Sequence, residues 1–188
     1  MVELLLLGGA QSGKSALLRH LRQPPSAASP PEPPYSETAL SPTVGVEMFS
    51  VPVGTLGWSP SRQVVIREVG SCMALRWQSY LPSADAILFM VDVSDTSTMA
   101  ATLLYLYEVL VHKGSRALAI LLNKGDLCDA EGIQTVRNVL RLEEITAQNV
   151  EAGGGSIRLL TTGRSASHSC LDGSARAAVI AWLLKEIL

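Results

Sequence analysis

A glycine-rich stretch near the N-terminus has the composition of a phosphate-binding loop. Residues 8–15 read Gly-Gly-Ala-Gln-Ser-Gly-Lys-Ser and match the pattern G-x-x-x-x-G-K-[ST]. Glycines let successive backbone N–H groups turn toward an anion, and a helix that starts there adds partial positive charge. Lys14 supplies a cation for the β- and γ-phosphates, and the Ser15 hydroxyl is a ligand for Mg²⁺. The pattern predicts a nucleoside triphosphate site that contains Gly8, Gly9, Ala10, Gln11, Ser12, Gly13, Lys14, Ser15 and Ala16.

A second motif, Asn123-Lys124-Gly125-Asp126, has the chemistry to select the base. The Asp126 carboxylate can accept two hydrogen bonds from the N1–H and the exocyclic amine of guanine, a pair that adenine lacks. Lys124 can lay its aliphatic stem over the base, and Asn123 can tie this loop to the phosphate loop. A phosphate-loop kinase or ATPase would need an arginine-rich lid and a different base site, and we find neither. The two motifs together predict binding of GTP and GDP.

These residues need an α/β framework, and the apolar pattern predicts one. Short apolar runs alternate with helical patterns, as in a mostly parallel sheet that is buried on both faces. The expected strands are residues 2–7, 64–69, 86–92, 118–122 and 157–161, and the expected helices are residues 14–22, 98–112, 131–141 and 174–187. Both motifs then follow strands, at the carboxyl edge where open α/β sheets bind ligands.

Composition and charge narrow the class of protein further. The 188 residues are 47% hydrophobic, which fits one domain over residues 1–188. The net charge is −2 with no block of like charge, which argues against a nucleic-acid surface or a polybasic membrane patch. The cysteines Cys72, Cys128 and Cys170 are far apart, with no CxxC pair, as expected for reduced thiols in the cytoplasm.

The sequence predicts no direct membrane anchor. The N-terminus lacks the basic region of a signal peptide, and Val2 stands where N-myristoylation needs glycine. The C-terminal residues contain no prenylation box.

Residues 23–42 are rich in proline and interrupt the α/β pattern. Proline removes backbone donors and fixes φ, so we expect a flexible insert there and neither a helix nor a central strand. Pro30 and Pro33 have PxxP spacing, so a docking role for the insert stays open.

Three further motifs give the chain a family resemblance. Residues 42–45 read Pro-Thr-Val-Gly, residues 68–72 read Glu-Val-Gly-Ser-Cys, and Trp77 precedes Tyr80 by three positions. With the two nucleotide motifs, this set resembles the Arf-like branch of the Ras superfamily, in a divergent form. The resemblance implies a three-layer G domain, a mostly parallel six-stranded sheet flanked by five helices, that switches between GDP and GTP forms. It also implies a monomer that acts through effector and regulator proteins in membrane or ciliary traffic.

The resemblance assigns roles near the γ-phosphate, and several residues there depart from the family pattern. Thr43 is expected to bind Mg²⁺. Glu68 replaces the aspartate that holds the ion through water, and we expect Glu68 to keep this water-mediated contact in a weakened or rearranged form, because its side chain is one methylene longer. Ser71 stands at the glycine that senses the γ-phosphate, and Cys72 stands at the glutamine that orients the attacking water. A thiol is a weak hydrogen-bonding group, so we expect very slow hydrolysis. A redox role for Cys72, and a catalytically silent nucleotide-binding module, stay open as alternatives.

Two further expectations concern the ends of the site. The last guanine-binding motif is either Thr161-Thr162-Gly163, which the sequence favours through Thr162, or residues 165–167, Ser-Ala-Ser. The effector-binding aromatic triad of Arf proteins corresponds to Val46, Arg67 and Tyr80, so only one aromatic is retained.

Overall fold

The computed structural model describes residues 2–22, 42–52, 63–151, 154–162 and 173–186. Several expectations fall outside these ranges. They are the proline-rich insert up to residue 41, the alternative base motif at residues 165–167, and Cys170.

The described residues form one six-stranded sheet in the order β2-β3-β1-β4-β5-β6. The strands are β1 (Val2–Gly8), β2 (Val46–Pro52), β3 (Gln63–Val69), β4 (Ala86–Asp92), β5 (Ala117–Asn123) and β6 (Ile157–Thr161). Among these strands only the β2–β3 pair is antiparallel, and the other four pairs are parallel. The central strands β1, β4 and β5 are almost wholly apolar because helices cover both of their faces.

Helices pack on both faces of the sheet and complete three layers. The α-helices are α1 (Lys14–Arg22), α2 (Met99–His112), α3 (Ala130–Val139), α4 (Leu142–Glu151) and α5 (Gly173–Glu186). Leu17 of α1 and Val179 of α5 are buried in the core on one face, together with Leu4 and Leu6 of β1. The opposite core contains Leu106 of α2 and Trp77 from a 3₁₀ segment, Ser71–Ser79. None of the helices described is long and apolar enough to cross a bilayer.

The observed fold confirms the predicted class and corrects two elements. All five predicted strands are present, and β2 is a sixth that the apolar pattern did not show but the family resemblance implied. The prediction of a single helix over residues 131–141 is wrong at the C-terminal end, because α3 ends at Val139 and a separate helix, α4, begins at Leu142. Arg141 between them has φ +53°, a left-handed conformation that breaks the helix.

The register of the parallel strands brings the predicted motifs to one edge. Leu6 pairs with Glu68, Gly8 with Met90, and Asp92 with Asn123. These residues lie at or near the carboxyl ends of their strands. The phosphate loop, residues 8–15, and the base-reading loop, residues 123–126, are therefore neighbours in space.

Candidate nucleotide-binding site

A cavity of about 450 Å³ lies at this edge, above the phosphate loop. Its lining joins parts of the chain that are far apart in sequence. It is lined by residues 10–16 of the loop and α1, by Pro42 and Thr43, by Glu68, Gly70 and Ser71, and by Lys124. The size and the mixed polar lining are those of a pocket for a small ligand.

Lys14 is directed along the phosphate loop by two backbone carbonyls. Its ammonium donates hydrogen bonds to the oxygen of Gly8 at 2.9 Å and to that of Gly9 at 2.8 Å. Burial lowers the pKa of Lys14 to about 8, although the nearby Glu68 and Cys72 act in the opposite direction. A phosphate in this cavity would supply the negative charge that stabilises the protonated form.

Two glycines of the loop are required by its backbone. Gly8 has φ +147° and Gly13 has φ +97°, conformations that L side chains rarely adopt. A Cβ on Gly8 would overlap the carbonyl oxygen of Met90, and one on Gly13 would overlap the Asn123 amide. The loop can therefore approach β4 and the base-reading loop only with glycine at both positions.

The base-reading loop is fastened to the phosphate loop through Asn123. Its side-chain Nδ2 donates to the carbonyl of Ser12 at 2.9 Å, in a fully buried position. The tie expected from the sequence is therefore present. Lys124 adopts a left-handed backbone, φ +63°, lines the cavity and forms an ion pair with Asp92.

Asp126 lies next to this cavity but outside its lining. It is half-buried in the 3₁₀ turn Gly125–Leu127, directly after β5. Thr162 packs against the same turn, with its Oγ1 accepting from the Gly125 N–H at 3.4 Å. Thr162 also donates its N–H to Leu122 at 3.1 Å, which continues the β5–β6 ladder. The preferred last motif therefore borders the base-reading turn.

Three oxygens converge at the floor of the cavity. The Ser15 hydroxyl donates to Glu68 Oε1 at 2.7 Å, the Thr43 hydroxyl donates to the same oxygen at 3.0 Å, and the two hydroxyls are 3.1 Å apart. Glu68 is 1% exposed, and its Oε2 has no hydrogen-bond partner among the described residues. No group of three or more His, Cys, Asp or Glu side chains in the described ranges forms a different metal site. A set of hard oxygens beside phosphate suits Mg²⁺, so these residues fit the ion.

Two flanking segments, residues 42–45 and residues 70–80, contact each other directly at one side of the cavity. Gly70 donates its N–H to the carbonyl of Gly45 at 2.9 Å, and a Cβ on Gly70 would overlap the Thr43 carbonyl. The Cys72 thiol contacts that Thr43 carbonyl at 3.8 Å, is exposed, and does not line the cavity. Trp77 anchors the second segment, because its buried indole N–H donates to Gly70 at 3.3 Å.

Comparisons with known proteins agree with this geometry. The sequence profile described as "Arf: ADP-ribosylation factor family" matches residues 1–163. The chain belongs to the ADP-ribosylation factor family.

Known relatives of this Arf-family protein cover almost its full length. It is 29% identical over 187 residues to ADP-ribosylation factor-like protein 16 of Homo sapiens, across 95% of this chain and 83% of that protein. The small GTPase Arl6 BBS3 of Trypanosoma brucei, solved with the nucleotide analogue GppNp, superposes with a TM-score of 0.69 at 16% identity, covering 98% of this chain and 95% of the other.

Two other solved structures share the fold. The mammalian SRP receptor gives a TM-score of 0.64 at 18% identity, with 97% and 98% of the two chains covered. The ADP-ribosylation factor-like GTP-binding protein or small COPII coat GTPase SAR1 of Encephalitozoon cuniculi, in complex with GDP, gives 0.57 at 20% identity, with 99% and 79% covered.

Within this Arf-family protein, the structure gathers most of the predicted residues and adds one. Asp92 was not predicted, although its position at the end of β4, in register with Asn123, was a usable signal. The positions that the resemblance assigns to effector binding, Val46, Arg67 and Tyr80, do not form an aromatic triad. Arg67 forms an ion pair with Glu3 at 3.1 Å and lies 6.0 Å from the centre of the Tyr80 ring.

Proposed function

We propose that this Arf-family protein is a GTP-operated molecular switch with very slow intrinsic hydrolysis. One observation supports the switch above the others. Ser15 of the phosphate loop, Thr43 of the first flanking segment and Glu68 at the end of β3 meet within 3.1 Å at the floor of one cavity. A γ-phosphate bound there would interact with both flanking segments at once and would stabilise their ordered form.

Magnesium fits the same three residues. Ser15, Thr43 and Glu68 would hold the ion, which neutralises charge on the β- and γ-phosphates when it is bound. Lys14 would contact the same phosphates, and the loop N–H groups would donate to them from the start of α1. Asp126, Lys124, Asn123 and Thr162 would form the guanine end.

Slow hydrolysis is proposed from Cys72 and Ser71. The Cys72 thiol is directed at the Thr43 carbonyl and not into the cavity, so no side chain at this position orients an attacking water. Ser71 still offers a backbone N–H at the cavity wall, but serine restricts the backbone more than glycine does. Turnover would then depend on an activating protein.

The proposed cellular role is regulation of intracellular or ciliary membrane traffic through protein partners. One structural relative is described as a small COPII coat GTPase, and this description is the basis for proposing a role in membrane traffic. We propose a cytoplasmic monomer, one G domain over residues 1–188 with a proline-rich insert at residues 23–42. Effector and regulator proteins would recruit it to membranes. The ion-paired Arg67 beside Tyr80 favours effectors that differ from those of an aromatic triad.

A silent guanine-nucleotide-binding module is the second candidate, and it is favoured by the position of Cys72. The test is the affinity for GDP and for a non-hydrolysable GTP analogue, with and without Mg²⁺, together with single-turnover hydrolysis. A switch requires affinity that depends on Mg²⁺ and turnover that is slow but measurable. Equal, Mg²⁺-independent affinities without turnover would support the silent module, and hydrolysis as fast as in ordinary small GTPases would exclude both.

A further inference from the structure

The three converging oxygens are spaced as direct ligands of one metal ion would be, and a water-mediated contact does not require this spacing. Mg²⁺ binds six oxygens at about 2.0–2.1 Å, so neighbouring ligand oxygens in its octahedron are about 2.9 Å apart. The triangle formed by Ser15 Oγ, Thr43 Oγ1 and Glu68 Oε1 has edges of 2.7, 3.0 and 3.1 Å. It therefore has the dimensions of one face of that octahedron.

Hydrogen bonds alone do not satisfy this triangle. Each of the two hydroxyls has one proton to donate, and an ionised carboxylate has none. Three mutual contacts are therefore served by two protons, so one edge brings two oxygens together without a hydrogen bond of its own. A cation that binds all three oxygens removes this conflict, because it attracts every lone pair at once.

We propose that Glu68 is a direct ligand of the magnesium ion, in contrast to the water-mediated contact that the sequence predicts. This assignment rests on the proposed function. An aspartate at this position would retract the carboxylate by one methylene, about 1.5 Å, and would leave room for a bridging water. The glutamate side chain is long enough to reach the ion directly, since its Oε1 lies 2.7 Å from the Ser15 hydroxyl. Its Oε2, which has no partner among the described residues, can accept a hydrogen bond from a water on the ion.

The consequence is a different number of waters on the metal. Ser15, Thr43 and two phosphate oxygens occupy four of about six positions of an octahedral ion. With Glu68 as a fifth ligand, one water remains, whereas a water-mediated carboxylate leaves two. This number is independent of whether GTP is hydrolysed.

The experiment counts these waters in the full chain, with Mn²⁺ as a probe that takes the same oxygen geometry. Nucleotide affinity is measured first, and then water-proton relaxation of the Mn²⁺ complex with a non-hydrolysable GTP analogue. We expect one water for the wild type and two for Glu68→Asp. Glu131→Asp, the same shortening on an exposed residue of α3, should keep one water. Thr43→Ala calibrates the method, because removal of that hydroxyl should add a water.

The outcomes separate this assignment from the proposed function. Two waters on the wild type would overturn direct ligation while nucleotide binding stands, and this holds even if Glu68→Asp does not fold. An equal count in the wild type and Glu68→Asp would overturn it as well. If the wild type does not bind the GTP analogue, both the proposed function and this assignment are wrong.

Discussion

The two halves of the site are built in different ways. The first half consists of the phosphate loop, residues 8–15, and the base-reading loop, residues 123–126. It depends on backbone conformation, because glycines of the phosphate loop have positive φ and the fully buried Asn123 fastens the base-reading loop to it. The half that would face the γ-phosphate depends on side chains, and several of them are open to solvent: Val44 is 87% exposed and Cys72 is exposed, whereas Glu68 is buried. The first half matches the patterns for phosphate and guanine binding, whereas the second has changed at Glu68, Ser71 and Cys72. We therefore expect substitutions to change nucleotide affinity and nucleotide turnover separately in this protein.

The largest expected effect tests the first half. Asp126→Asn removes the carboxylate acceptor of two charge-assisted hydrogen bonds, each contributing about 1.5–3 kcal/mol. We expect the affinity for GDP to fall by about a hundredfold or more. Titration with labelled GDP measures this loss, and xanthosine diphosphate serves as the control, because its extra carbonyl suits the new amide. Unchanged GDP affinity in this variant would contradict the assignment of Asp126 as base reader.

Trp77 is where the second half is fixed to the core, and its removal should cost stability. The indole is 1% exposed and packs edge-on against Phe89 and Tyr105, at centroid distances of 6.2 and 5.2 Å. Trp77→Ala should lower the free energy of unfolding by about 3–5 kcal/mol. Trp77→Phe keeps most of the packing and loses only the hydrogen bond to Gly70, about 1 kcal/mol. Denaturant unfolding compares the two, and equal losses would show that packing is not what holds this segment.

Restoring a hydrogen-bonding side chain at residue 72 should alter turnover alone. Cys72→Gln supplies the amide that a water-orienting role requires, and we expect single-turnover GTP hydrolysis to rise by about tenfold or more. Cys72→Ser, similar in size to the thiol, should hydrolyse GTP as slowly as the wild type. If Cys72→Gln remains equally slow with intact affinity, the block lies elsewhere, at Glu68 or Ser71.

The smallest expected effect is a pH dependence of binding. The pKa of Lys14 is lowered to about 8 by burial, and phosphate binds the protonated ammonium. Above that pH the free protein has lost the proton, so binding must take one up, and affinity falls as pH rises. Between about pH 7 and about pH 8.5 we expect GDP affinity to fall about fourfold.

Calorimetry in buffers of different ionisation enthalpy measures this proton uptake directly. Lys14→Arg is the matched control, since guanidinium stays charged over this range and should give a level profile. Equal pH profiles for the wild type and Lys14→Arg would show that the Gly8 and Gly9 carbonyls keep the lysine protonated in the free protein.

Much of the fold, and the phosphate and base-reading loops of the site, could be predicted because their sequence signals are local. Buried parallel strands need apolar residues on both faces, so β1, β4 and β5 appear as plain apolar runs. Edge strand β2 faces solvent in part, with Met48 58% exposed, and its mixed sequence carries no such signal. The break between α3 and α4 rests on one left-handed arginine, a residue whose type does not predict that conformation.

The sequence by itself determined the prediction that phosphate and guanine are the ligands, because the glycine conformations and hydrogen-bonding groups involved belong to short, contiguous motifs. Only the tertiary structure decided how the γ-phosphate side is arranged. Ser15 and Glu68 are 53 positions apart, and Thr43 and Cys72 are 29 apart, yet both pairs are in contact. Their distances depend on strand register and on how Gly70 packs beneath Thr43, which no local pattern encodes. That packing directs the thiol to a carbonyl and gathers three oxygens into one triangle.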